Sequence, residues 1–393
     1  MKNYRYLIVG GGLTADAAAR GIRELDTEGS IGILSMEPDP PYLRPNLSKG
    51  LWKGRPLEKI WRNTQSLNVD LILERKVTLL DPLKKYVRAE MGDEYSYDKL
   101  LLATGGSPAH LPFGADNIIY YRNLQDYRRL RALTDQAENF LVIGGGFIGS
   151  EIAAALSMNG KKVVMVFPEE NIGAKIYPKD LADFITAYYR KKGVEIVAGD
   201  SIADIVKNGD RLMARTKGAR TFDAAGVVAG IGIKPNLELA QRAGLRVGDG
   251  IIVDEHLKTS TPGIFSAGDA ANFFHSALEK RVRVEHEDNA LKMGKQAGRN
   301  MAGADESYTH VPMFYSDLFE LGYEAVGELN SGLETVSDWQ DSFNKGVIYY
   351  LDKGRVRGVL LWNVWKRVDQ ARTLMAEVGP FKPQDLIGRI KSD

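Results

Sequence analysis

A chain of 393 residues exceeds what one ordinary core supports, so two or three domains with room for nucleotide-sized pockets are expected. The apolar share of 44% and charged share of 26% are those of a soluble globular protein, and a formal charge of +1 excludes a global pull toward nucleic acid or a membrane surface. There is no cysteine, which excludes disulfides, thiolate metal sites and any mechanism that stores electrons on a cysteine pair.

The N-terminus, Met1-Lys-Asn-Tyr-Arg5, runs directly into the apolar strand Tyr6-Leu-Ile-Val9. With no 18-residue apolar run anywhere, neither a signal peptide nor a spanning helix is expected, which points to a cytoplasmic enzyme. The strand continues as Gly-Gly-Gly-Leu-Thr-Ala-Asp-Ala-Ala-Ala-Arg20, so Gly10, Gly12 and Ala15 form G-x-G-x-x-A at the start of a small-residue helix. A second apolar strand, Ile31-Gly-Ile-Leu-Ser35, is followed by Glu37. Next comes Leu100-Leu-Leu-Ala-Thr-Gly-Gly106, another strand running into glycine at Thr104 and Gly105.

The same organisation then repeats. Phe140-Leu-Val-Ile-Gly-Gly-Gly-Phe-Ile-Gly-Ser-Glu-Ile-Ala-Ala154 contains Gly144, Gly146 and Gly149 as G-x-G-x-x-G, and Val163-Val-Met-Val-Phe167 leads to Glu169. In such a turn the first glycine permits the tight bend and the second lets backbone approach a pyrophosphate. The third lets helix pack on strand, while the acid about 25 residues on accepts ribose hydroxyls. One match is a weak signal; two, each with its acid, predict two dinucleotide sites. Gly226-Val-Val-Ala-Gly-Ile-Gly-Ile-Lys-Pro-Asn236, which includes Gly232, and Gly263-Ile-Phe-Ser-Ala-Gly-Asp-Ala270 are further strand ends meeting glycine, where open α/β sheets bind ligands. The second nucleotide fold reads as an insertion at 118–243 into a first fold made of 1–117 and 244–307. From about Tyr308 the pattern changes to alternating runs, Gly346–Leu351 and Val356–Trp362, then a helix near Val368–Glu377, expected as a small α+β domain over 308–393.

The chain resembles the FAD-dependent pyridine-nucleotide reductases, in the branch of ferredoxin and rubredoxin reductases and apoptosis-inducing factor. The residues that carry this are Pro41-Tyr-Leu-Arg-Pro45, Leu47-Ser-Lys-Gly-Leu-Trp52, Val166-Phe-Pro-Glu169, Arg283-Val-Glu-His286, Met313-Phe-Tyr-Ser-Asp-Leu318, Gly322-Tyr-Glu-Ala-Val-Gly327 and Leu361-Trp-Asn-Val364. They look closer to apoptosis-inducing factor. Without that family's leader, long C-terminal insertion or basic nuclear-targeting stretch, a compact prokaryotic-type relative is expected. The resemblance implies a glutathione reductase-like α/β fold with two Rossmann-like three-layer dinucleotide-binding domains plus the α+β C-terminal domain.

For the flavin, the resemblance implies contacts from Gly10, Gly12, Thr14, Ala15, Glu37, Arg44, Lys49, Thr104, Gly105, Asp269, Glu285, His286 and Tyr315. For the nicotinamide nucleotide it implies Gly144, Gly146, Phe147, Ile148, Gly149, Glu151, Glu169, Lys175, Gly232 and Glu285. Lys49 and Glu151 are implied as a catalytic pair beside the ring nitrogen that accepts hydride, a charge able to stabilise the transfer. Asp269 is implied on the flavin's sugar-alcohol chain, although a plain helix-capping aspartate fits it equally. Phe147 is expected to gate the nicotinamide pocket, Tyr315 to stack near the flavin or to pack, and Trp362 to fill a core. Glu285-His-Glu-Asp288 superficially suggests a metal site, but it has no second histidine at i+4 and no cysteine accompanies it, so no metal is expected. In relatives the first ribose acid follows the strand-ending serine directly; here Met36 holds that slot and Glu37 comes next.

Glu169 favours NADH, since a carboxylate accepts both ribose hydroxyls and repels the phosphate of NADPH, while Lys175 leaves some NADPH use open. With no cysteine pair, electrons must leave from the flavin to an outside acceptor. The leading expectation is a ferredoxin or rubredoxin, steered by basic clusters at Arg128, Arg129 and Arg131 or at Lys280, Arg281 and Arg283. The alternatives are a quinone, another small molecule or oxygen as acceptor, and an NADH-responsive redox sensor that forms a stable charge-transfer complex and dimerises. All three need the same two nucleotide sites.

Overall fold

The computed structural model describes residues 1–114 and 117–391. The chain divides into two compact units: Met1–Arg44, Pro56–Ser107 and Lys234–Pro312 form the first, and Pro45–Arg55, Pro108–Ile233 and Met313–Asp393 the second.

The first unit is built on Lys2–Val9. This strand pairs in parallel with Ile31–Leu34 on one side and Glu94–Leu102 on the other, and Asp70–Ile72 and Ile264–Ser266 continue the parallel set. Tyr86–Ala89 and Val77–Asp81 extend it antiparallel. Successive residues point to opposite faces of the sheet, and here both faces are covered. Ile8, Ile33, Leu101 and Phe265 pack toward Ala15, Ala18, Ile22 and Met293, while Leu7, Leu34, Leu100 and Ile264 pack toward Leu80 and Val87. This is why these strands are continuously apolar in sequence. Helices Leu13–Arg23 and Glu287–Met301 cover the first face and cross closely enough that a Cβ on Gly298 would lie 2.0 Å from the Ala18 carbonyl oxygen.

The second unit holds a five-stranded parallel sheet in the spatial order Val194–Ala198, Lys162–Phe167, Asn139–Ile143, Gly226–Ala229, Ile118–Tyr120, with helix Phe147–Met158 following its central strand. An antiparallel trio, Ile202–Asn208, Arg211–Thr216 and Thr221–Ala224, accompanies it. The chain then builds a five-stranded antiparallel sheet in the order Met313–Leu318, Leu321–Gly327, Arg355–Trp362, Lys345–Asp352, Glu334–Asp341, followed by helices Val368–Ala376 and Pro383–Leu386. Trp362 is fully buried in it, stacked on Tyr323 with ring centroids 6.0 Å apart, and its indole N–H donates to the Phe343 carbonyl at 2.9 Å. The α/β architecture and the C-terminal sheet are those the sequence implies.

The excursion Pro45–Arg55 belongs to the second unit because its side chains are anchored there. Trp52 donates its indole N–H to Leu47 O at 2.8 Å, Tyr121 donates its hydroxyl to the same oxygen at 2.5 Å, and the Arg131 guanidinium lies 5.5 Å from the Trp52 ring centroid. Among the described residues, no helix is long and apolar enough to cross a membrane.

Candidate functional site: two glycine turns and a buried lysine–glutamate pair

The two glycine turns share the backbone hydrogen bonds that tie the first glycine and the neighbouring strand. Gly10 N–H donates to Leu34 O at 2.8 Å, and Gly144 N–H to Val166 O at 2.9 Å. Ala103 N–H donates to Val9 O and Gly230 N–H to Ile143 O, both at 2.9 Å. Gly10 and Gly144 have φ of +122° and +108°, and a Cβ on either would lie within 2.4 Å of a carbonyl oxygen, so only glycine serves at these two places.

Gly12 and Gly146 differ from them in kind. Each precedes its helix, no side chain caps either helix, and a Cβ added at either would meet nothing within 4 Å. The backbone at these glycines is therefore open to close approach, as a pyrophosphate requires. The turns thus fit the diphosphates of two dinucleotides. Thr14 and Ala15 are buried in the first turn; Phe147 is half-buried and Ile148 exposed in the second. Phe147 meets Phe314 edge to face with centroids 5.8 Å apart. Gly105 and Gly232, the glycines after the neighbouring strands, both adopt positive φ, +64° and +97°.

The equivalence extends to the acids. Ser35 O accepts from Arg75 N–H at 2.7 Å and Glu37 O from Glu74 N–H at 3.3 Å; Phe167 O accepts from Asp200 N–H at 3.2 Å and Glu169 O from Gly199 N–H at 2.9 Å. Glu37 is therefore the counterpart of Glu169, three residues past the strand residue that bonds the first glycine. Met36 points out to solvent and is 59% exposed. Each acid already meets a cation. Glu37 accepts from Arg44 and from the Tyr42 hydroxyl, both at 2.7 Å, and Glu169 lies 2.8 Å from the Lys175 ammonium.

In the first unit, Thr104 donates its hydroxyl to Asn236 O at 2.9 Å and accepts from Asn236 Nδ2 at 2.8 Å, while Asn236 N–H donates to Gly105 O. Asp269 stands in the middle of a short turn, Gly268–Ala270, and its charge reaches Arg44. His286 is half-buried and caps helix Glu287–Met301; burial pushes its imidazole down to about 4, against the opposing pull of Asp269 and Asp288, so the ring is neutral at pH 7. Glu285 is exposed and bonded by Arg283.

In the second unit, Lys49 and Glu151 form a salt bridge at 2.7 Å, with side chains 12% and 3% exposed. A buried carboxylate needs its lone pairs satisfied. Glu151 has three donors: the Lys49 ammonium and the Ser316 hydroxyl, 2.5 Å away, on Oε1, and the Ser48 hydroxyl, 2.6 Å away, on Oε2. The ammonium also lies 5.0 Å from the Tyr315 ring centroid. Behind Glu151, burial pushes the Tyr177 and Tyr323 phenols up and the Glu151 charge adds to this, so both stay protonated.

A family model, pyridine nucleotide-disulphide oxidoreductase, matches residues 4–294, and a second, the C-terminal region of mitochondrion-associated apoptosis-inducing factor, matches 297–341 and 337–377. The chain belongs to the pyridine nucleotide-disulphide oxidoreductase family. It is 33% identical to mitochondrial apoptosis-inducing factor 1 of Dictyostelium discoideum over 95% of this chain and 79% of that one. It is 32% identical to monodehydroascorbate reductase 3 of Arabidopsis thaliana over 92% and 89%. The crystal structure of the covalent putidaredoxin reductase–putidaredoxin complex superposes with a TM-score of 0.91 at 29% identity, covering 98% of this chain and 96% of that one.

This member of the family is an NAD(P)H-dependent flavin oxidoreductase with FAD and NADH as cofactors, and it transfers electrons. The disulphide in the family description has no counterpart here, since the sequence holds no cysteine. Ser48, Ser316, Tyr42 and Asn236 are the site residues that sequence reasoning passed over. Ser48 and Ser316 stand inside quoted runs, and Ser316 alternates with Tyr315 along one strand, which was the available signal. Of the expected docking clusters, Arg128, Arg129 and Lys280 are exposed, and Arg131, Arg281 and Arg283 also bond within the chain. Arg131 donates to Asn159, Arg281 to Asn272 and Val253 O, and Arg283 to Asp249 and Glu285.

Proposed function

We propose that this protein passes electrons from NADH, through FAD, to a small iron–sulfur protein of the ferredoxin or rubredoxin kind. The observation that carries this is the whole-chain likeness to a reductase crystallised with putidaredoxin. Bound FAD supplies the chemistry of taking a hydride from NADH and releasing electrons to the acceptor. The chain's own residues bind, orient and charge the site. Gly144, Gly146 and Gly149 seat the pyrophosphate of NADH, and Glu169 accepts its ribose hydroxyls, which selects NADH over NADPH. Gly10, Gly12, Ala15, Glu37, Arg44 and Asp269 hold FAD. Lys49, tied to Glu151, would supply the positive charge that hydride transfer to the ring calls for, and Phe147 would close the nicotinamide pocket.

The match to the apoptosis-inducing factor C-terminal model supports a second reading, an NADH-responsive redox sensor, and the likeness to monodehydroascorbate reductase supports a small-molecule acceptor. Anaerobic stopped-flow reduction of the purified protein by NADH, followed by candidate acceptors, separates the three. Prompt reoxidation by an iron–sulfur protein supports the proposal. A persistent long-wavelength band that acceptors barely discharge, accompanied by dimerisation on NADH, selects the sensor. Reoxidation only by quinone or an ascorbate radical selects the small-molecule acceptor.

A further inference from the structure

The charged pair at the centre of the site is held by residues with no assigned part in the reaction. Strand Met313–Leu318 presents three consecutive side chains to the excursion that carries the lysine, or to the lysine's partner. The Tyr315 ring lies 5.0 Å from Lys49 Nζ, the Ser316 hydroxyl 2.5 Å from Glu151 Oε1, and Asp317 accepts from Lys53 at 2.9 Å. On the opposite side of the carboxylate, Ser48, the residue before Lys49, donates to Oε2 at 2.6 Å. Ser316 is 1% exposed and Ser48 6%, so solvent cannot replace either hydroxyl.

The donor count fixes the geometry. An ammonium can only donate, so Lys49 needs a carboxylate oxygen with a free lone pair in a defined direction. A glutamate side chain has three torsions and would wander in a larger space. Ser48 on Oε2 and Ser316 on Oε1 restrain both oxygens, and the O–H···O⁻ lengths are those of charge-assisted bonds. Ser316 also shares Oε1 with the lysine. Each takes one lone pair of that oxygen, and the bond uses one of the ammonium's three N–H donors.

We propose that Ser48 and Ser316 are positioning residues that act through the Glu151 carboxylate to aim the Lys49 ammonium for hydride transfer. The inference rests on the reading that Lys49 serves the reacting ring. Neither serine touches a nucleotide phosphate or ribose in that reading, so their loss slows the chemical step and leaves NADH affinity alone.

The test uses the FAD-loaded protein and three sets of variants: Ser48→Ala and Ser316→Ala, Ser48→Thr and Ser316→Thr, and Lys49→Met. Flavin reduction is followed by stopped flow across NADH concentrations, which separates the limiting rate from Kd, and the visible absorption band of the oxidised flavin is recorded for each. Each alanine variant is expected to lower the limiting rate by roughly 5- to 20-fold, the scale of a small misplacement in a reacting geometry, with Kd unchanged and the band displaced in the direction seen for Lys49→Met. The threonine variants keep the hydroxyl and are expected within about twofold of the parent. Alanine variants as fast as the parent, beside a slow Lys49→Met, overturn the proposal alone. So do threonine variants as slow as the alanine ones, because packing and not the hydroxyl would then be at work. A Lys49→Met protein that reduces as fast as the parent overturns the underlying reading instead.

Discussion

The two glycine turns share every backbone hydrogen bond compared above, yet the second is packed more tightly than the first. Ala15 and Ala103 of the first turn correspond to Gly149 and Gly230 of the second. A Cβ on Gly149 would lie 1.9 Å from the Gly144 carbonyl oxygen, and one on Gly230 2.7 Å from the Gly149 nitrogen, whereas Ala15 sits fully buried with its methyl accommodated. The acids differ as well. Glu37 is clamped by a part-buried arginine and a tyrosine, while Glu169 meets an exposed lysine, 83% accessible at its side chain. A turn that retains its ligand and a turn that exchanges it each turnover place different demands on the same backbone. On the proposed assignment of Glu37 to FAD and Glu169 to NADH, the clamped acid holds the resident nucleotide and the loosely paired acid the one that exchanges.

Substitution at the third fingerprint position is the strongest way to break this comparison. Gly149→Ala, which copies the first turn's residue into the second, drives a methyl into backbone and is expected to cost about 3 kcal/mol, or roughly a hundredfold in NADH affinity, with FAD content unchanged. The reciprocal Ala15→Gly costs no more than about 1 kcal/mol of stability through added backbone freedom. Fluorescence titration with NADH and the absorbance ratio of flavin to protein measure both. Equal tolerance of the two substitutions would show that the closer packing has no bearing on binding.

A smaller effect is expected at Glu37. Glu37→Gln removes a charged acceptor from Arg44 and Tyr42, at roughly 2 kcal/mol, and should be seen as FAD lost on dialysis with NADH affinity retained. Glu169→Gln works on the other nucleotide and removes the repulsion of the extra phosphate. It is expected to narrow the preference for NADH over NADPH about tenfold, near 1.4 kcal/mol, in reduction rates at low cofactor concentration. If Glu37→Gln instead altered the NADH preference, the assignment of one acid to each cofactor would fail.

Much of this was legible in the sequence, and the reason is periodic. Parallel strands buried on both faces read as unbroken apolar runs, and a glycine turn cannot tolerate a side chain at its first glycine, so strands, turns and their duplication are local signals. Glu37 was only half legible. Counting from the serine puts Met36 in the ribose slot, and only the carbonyl pairing of Ser35 and Glu37 with the chain at 74–75 shows that the acid three residues past the bonded strand residue is the counterpart of Glu169. Ser316 was not legible as a partner of Glu151, 165 residues away, because that contact exists only once the C-terminal sheet has folded. The internal bonds of Arg131, Arg281 and Arg283 were illegible for the opposite reason. A cluster of positive residues in sequence says nothing about carbonyls and carboxylates that the fold brings up to them.

The smallest effect separates the units by pH. His286 lies in the first unit, and its imidazole is pushed from the ordinary 6.5 down to about 4, burial outweighing the opposing charges of Asp269 and Asp288. Between about pH 6.5 and 4 the unfolded chain therefore binds a proton that the folded chain refuses. Stability from this group is level above pH 6.5, falls as the pH descends to about 4, and is level again below. Partial exposure of the ring keeps the effect on the order of 1 kcal/mol. His286→Gln has nothing to titrate, so its urea midpoint should fall less than that of the parent between pH 7 and pH 5. If both fall equally, the acid sensitivity arises elsewhere and His286 is not held neutral by its surroundings.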